Sequence, residues 1–285
     1  MDRTGIARAP VDVGMARIDR PPFRTAAGLV RYVTVHGLAG LITGIVVGGA
    51  GGRLFMRVAG AAGGEPARGA TTEAGFTVGE ITLEGTIGLL IFVGIFVGIA
   101  GAALRVVFRP WLAWAGPWRG VAFGILLFAL GSATSDVLNP DNVDFLILGN
   151  EALIVAMIVA LFVGFGALVE PVSGWLDRHL PVADASRPFA SGAYGVIAVL
   201  GVALGALLLV QAMFTPSTCD CDPPLVASIF VVVTAAGTLG WTASAFSPSA
   251  LLPRISRLLG LVGLVGAPTA GLVRAIGDAA EILRA

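Results

Sequence analysis

Residues 36 to 57 read HGLAGLITGIVVGGAGGRLFMR, and the spacing of the glycines in this stretch decides how the chain is built. Gly40, Gly44, Gly48 and Gly52 recur every four residues. On a helix that period stacks them along one ridge, where a neighbouring helix can approach backbone to backbone, as small residues allow in membranes. A second row runs beside it: Gly49, Arg53 and Arg57 are also four apart, about 100° around the axis from the ridge. The stretch therefore predicts a helix that packs closely along its length and ends in two arginines.

The composition around it places this helix in a membrane. Of 285 residues, 56% are hydrophobic and 13% charged, and the mean hydropathy is +0.90, more apolar than a soluble core requires. All 18 cations are arginines. The absence of lysine excludes a Schiff-base lysine, a P-loop lysine and a lysine general base together. The formal net charge is zero, so net charge points to no acidic partner, and the placement of charge along the chain is the more informative quantity.

Six apolar segments approach the ~20 residues that a membrane span needs, at about 34–59, 86–108, 119–138, 146–169, 192–214 and 225–246. On alternate sides, fifteen arginines fall with the N-terminal arm and only Arg53, Arg57 and Arg68 fall opposite. The positive-inside rule then sets both termini in the cytoplasm. The expected fold is an all-α integral membrane protein, a bundle of six transmembrane helices with a C-terminal interfacial amphipathic helix. Residues 1–31 are expected to be a disordered basic cytoplasmic arm, 32–248 the membrane domain and 249–285 the interfacial segment.

The outer connection 60–85 carries Phe76, Val78, Ile81 and Leu83 between polar residues, which suggests a short extended hairpin capping the bundle, or else a flexible loop. After the sixth segment, residues 254–266 are apolar but short, and Pro268 is expected to interrupt them. From Leu272 the apolar residues lie opposite Arg274, Asp278 and Glu281, the pattern of a surface helix. The competing reading is a seventh span through 255–276, which would place Arg274 and Arg284 outside, against the charge rule.

Ionisable groups within membrane segments mark function by default. Arg53 and Arg57 end the first span, Asp136 ends the third, and Glu151 stands just inside the fourth, all at similar outer depth. One reading is an outward-facing pocket in which the arginines hold an anionic small molecule or a lipid headgroup, oriented by the two acids. The other is structural: the charges tie helices together or reach lipid phosphates, and the glycine ridge packs against a partner helix or a second copy of the chain. Between the ends, the spans offer few polar steps. This counts against a proton relay or charged ion pathway.

Cys219 and Cys221 stand in S-T-C-D-C-D-P-P in the third outer loop, where a lone C-x-C is only a weak metal candidate. Neither His36 nor His179 has the context of a zinc motif or a triad, and both are expected at the cytoplasmic margin. No nucleophile elbow or Walker sequence is present, so no enzyme, cofactor or nucleic-acid role is expected. The expected setting is a bacterial-type cytoplasmic membrane, crossed several times.

Overall fold

The computed structural model describes residues 21–64, 69, 83–134, 137–138, 140, 150–183, 188–214, 225–247 and 251–284. Among them all regular structure is helical. Helix α1 runs Ala26–Ala62. Thr25, in extended conformation, caps it, its hydroxyl accepting from the Gly28 amide at 3.1 Å. Just before the cap, Phe23 is buried between Tyr32 and Trp241, with ring centroids 5.5 and 5.7 Å away. This anchored start takes Arg31 into the helix, whereas the sequence placed it in the arm. Residues 1–20 of the arm lie outside the described residues.

Helix α2 spans residues 83–108 and lies antiparallel to α1. A Cβ at Gly40 would meet Ala102 and the Gly98 carbonyl, one at Gly44 would meet Gly94 and Gly98, and one at Gly48 would meet Val93. The ridge thus closes on a helix of the same chain, glycine against glycine. Both helices widen to π turns at the contact, over Gly44–Gly51 in α1 and Leu89–Val97 in α2.

The apolar stretch Leu83–Ala133 has 51 residues. Wound straight it would reach roughly 75 Å, more than twice the ~30 Å hydrocarbon layer. It turns back instead through a tight 3-10 segment, Arg109–Trp118, where Gly116 takes φ 52°, a left-handed value open to glycine, just before Pro117. Helix α3, Arg119–Thr134, then returns along α4, Glu151–His179. Phe165 of α4 touches Gly101 of α2, while the neighbouring Gly166 touches Gly120 and Gly124 of α3. The two legs therefore stand side by side at one depth.

Helix α5, Pro188–Phe214, lies at the edge of the bundle, with Val196, Val199, Leu200 and Val202 exposed, a face suited to lipid tails. Helices α6, Leu225–Ala243, and α7, Leu251–Ile282, form an antiparallel pair. Gly263 meets Thr234 and Phe230 of α6, Gly260 meets the Trp111 ring, and Gly271 meets the Ala129 backbone of α3. Trp111 is buried in the turn, its indole N–H donating to the Thr238 hydroxyl at 3.1 Å, which donates to the Val107 carbonyl at 2.6 Å.

Helix α7 corrects two expectations. It runs unbroken through Pro268 for 32 residues, with no separate surface helix. A proline removes one backbone hydrogen bond, which a helix held by neighbours tolerates, and α7 is held by its glycine face. Its last residue, Ile282, packs with Ala59, Leu138 and Ile154, whereas the start of α1 packs with Phe23, Tyr32 and Trp241 at the other end. The first and last helices thus begin and finish at opposite ends of the bundle, not at one.

Among the described residues, five stretches are long and apolar enough to cross a membrane: Ala26–Ala62, Leu83–Ala133, Glu151–His179, Pro188–Leu207 and Leu251–Ile282. Ser228–Ala243 is a shorter apolar helix.

Candidate functional site

Charge gathers at the two ends of this bundle. At the far end of α1, Gly51 packs against Leu161 and Val47 against Gly164 of the antiparallel α4. Carried onward, that register sets Glu151 level with Gly60, roughly one helical turn beyond Arg57 and about two beyond Arg53. Arg53 and Glu151 are half-buried and Arg57 is exposed. Three of the four residues singled out from the sequence therefore share one end. No ion pair joins Glu151 to either arginine among the described residues. Glu151 occupies the first turn of α4, behind an Asn150 cap that accepts from the Leu153 amide at 3.2 Å, where a carboxylate complements the helix dipole. Asp136, Cys219, Cys221 and the expected hairpin lie outside the described residues, except Leu83, which opens α2.

The opposite end holds a cluster that the sequence reading passed over. Arg105, one turn before the end of α2, is 1% exposed. Its Nη2 donates to Glu170 Oε2 at 2.5 Å and to Ser173 Oγ at 2.9 Å, both on α4. Arg109, one turn further, lies 3.7 Å from the other Glu170 oxygen. Arg119, at the start of α3, also acts electrostatically on Glu170. From α1, Tyr32 and His36 close the cluster with ring centroids 4.1 Å apart. His36 is buried, 6% exposed, inside the bundle at this end. The side chains grade outward: Arg105 is 2% exposed, Arg109 23% and Glu170 30%, so Arg109 and Glu170 form the more exposed side of the cluster.

A second contact at this end fixes α1 to α4. Arg31 donates through Nε to the Pro181 carbonyl at 2.9 Å and through Nη2 to the carbonyls of Asp177 and Leu180 at 2.6 and 3.0 Å, and it pairs with the Asp177 carboxylate. These oxygens would otherwise be orphaned where α4 ends. Tyr194 of α5 joins the same knot, its hydroxyl donating to the Pro181 carbonyl at 2.8 Å, and the Thr34 hydroxyl donates to the Tyr194 carbonyl at 2.9 Å.

Among the described residues, neither end sets a nucleophile against a base. Guanidinium groups offer planar donors and fixed positive charge, the equipment for holding an oxyanion. Between α1 and α5 runs an apolar groove of about 430 Å³, lined by Leu29, Val30, Val33, Ala198, Val199 and Val202. Comparison with protein-family models, with curated proteins and with solved structures yields no match to this chain.

Proposed function

We propose that the protein is a multi-pass component of a bacterial-type cytoplasmic membrane that binds or carries a small anionic solute or lipid headgroup at the end bearing Arg53, Arg57 and Glu151. Asp136 is assigned to the same site from the sequence. The reading gives it no catalytic step and no cofactor. The observation that carries this choice is the closure of Gly40, Gly44 and Gly48 on α2. A scaffold role required that ridge to be available to a partner helix or a second copy, and the chain's own second helix covers it.

We further propose seven crossings in place of six, with the Arg105 end inside. The two legs of Leu83–Ala133 count separately, and α6 and α7 each cross. This moves Arg274 and Arg284 to the side of Arg53, Arg57 and Arg68, yet leaves thirteen arginines opposite, so the charge bias keeps its direction. Exposed Trp114, Trp118 and Trp175 at the Arg105 end fit the aromatic belt of a membrane–water boundary.

The site is tested by purifying wild type and Arg53→Ala in mild detergent and weighing each by native mass spectrometry. A retained anionic species that the variant loses supports the site; identical co-purification from both counts against it. A reporter active only outside the cytoplasm, fused after Ala285, is expected to be active, and silence there would restore the even number of crossings.

A further inference from the structure

The Arg105 cluster contains more donors than its own residues satisfy. Four of its buried polar atoms make no hydrogen bond of good geometry among the described residues: Tyr32 Oη, which lies beside the Arg109 guanidinium, His36 Nε2, Arg105 Nη1 and Arg109 Nε. Buried polar atoms are almost always paired, and leaving one unpaired forfeits its hydration without return. Here four occur together. Tyr32 and His36 both lie within electrostatic reach of Arg105 and Arg109. Charge is unbalanced in the same sense, since Glu170 is the one carboxylate paired with both arginines. Burying an arginine without a full counter-charge is among the most unfavourable arrangements a fold can keep.

We propose that this cluster is a binding site for a phosphate-bearing anion, entered past Arg109 and Glu170, with Arg105, Tyr32 and His36 at its floor. The donor set fits that chemistry. Two guanidinium groups and a phenol present N–H and O–H groups to several oxygens at once, which a tetrahedral oxyanion supplies. His36 adds a complementary element: its Nδ1 lies 2.8 Å from the Tyr32 carbonyl, and a carbonyl only accepts, so Nδ1 carries the proton. In the neutral Nδ1–H tautomer Nε2 keeps a lone pair, able to accept from a protonated phosphate oxygen. A cation would find one carboxylate against two arginines and be repelled. The exposed tryptophans nearby place the mouth at headgroup depth, so the phosphate can arrive free in solution or attached to a lipid.

This site is separate from the one at Arg53, and its test is built to fail separately. The full-length protein is placed in nanodiscs of phosphatidylcholine alone and titrated calorimetrically with inorganic phosphate. A parallel preparation, with phosphatidylglycerol mixed into the discs, is released and weighed by native mass spectrometry. Saturable phosphate binding identifies the free anion as the source, whereas selective retention of phosphatidylglycerol identifies the headgroup. Either is expected to weaken about ten-fold or more in Arg109→Gln and about three-fold in Tyr32→Phe, whereas a loss confined to Arg53→Ala, with both of these variants binding as wild type does, assigns the anion to the other end and overturns the proposal. Should Arg109→Gln not fold, Tyr32→Phe decides, because it keeps the ring and removes only the hydroxyl. The proposal is overturned if wild type neither binds phosphate saturably nor prefers phosphatidylglycerol to phosphatidylcholine, or if the folded variants bind as wild type does.

Discussion

The two ends of the bundle carry similar residue types in opposite arrangements. At the Arg53 end, the arginines stand a turn apart on one helix, half-buried and exposed, with Glu151 unjoined to them. At the Arg105 end, three helices bring an arginine and a glutamate into contact beneath a tyrosine and a histidine. Between the ends the helices meet through glycine backbone. The contrast teaches that the depth of a charge is set less by its place in an apolar segment than by what neighbouring helices bring to the same level. The second end is part of what holds α1, α2 and α4 in register.

The contrast breaks most visibly if the two glutamates prove equivalent. Glu170→Leu leaves Arg105 buried without its counter-charge and is expected to cost about 3–5 kcal/mol, read as unfolding in increasing dodecyl sulfate. Glu151→Gln, at a helix start, should cost no more than about 1 kcal/mol in the same assay. Equal losses would mean that the two ends are held alike. A sharper view of the glycine contact comes from Gly44→Ala, whose methyl group would press on Gly94 and Gly98 and should destabilise by about 1–3 kcal/mol. Gly37→Ala, with nothing within 4 Å of the added carbon, should leave stability unchanged or slightly raised. The smallest effect is expected at Arg57→Ala, within about 0.5 kcal/mol of wild type, because the side chain is exposed. A larger loss there would show that Arg57 carries structural weight.

Much of the helical layout was legible in the sequence because hydropathy reports it directly. The expected segments at 86–108 and 192–214 correspond to residues 83–108 and Pro188–Phe214. In the structure Gly40, Gly44 and Gly48 lie against α2, a neighbour within the chain that a period of four cannot name. In the sequence alone Pro268 reads as a stop, and the glycine face of α7 becomes meaningful only once Thr234, Phe230 and Ala129 are set against it. The Arg105 cluster was missed for a related reason. Arg105, Arg109 and Glu170 each stand near the end of an apolar run, where a charge reads as part of the next loop. Only the register of α1, α2 and α4 brings them together, and no spacing within a single segment encodes that. One faint signal was present: Arg105 with Arg109, and Glu170 with Ser173, are spaced to share a helix face.

Arg31 reaches across 146 residues of chain to Asp177. Ribosomes emit the chain from its beginning, so α1 enters the bilayer long before the carbonyls that Arg31 grips have been made. Through that interval its guanidinium has water and lipid phosphate as its only company, and the latch closes when the end of α4 arrives. The oldest helix in the membrane is therefore latched late, and a chain cut short before Asp177 would carry a first helix without this latch.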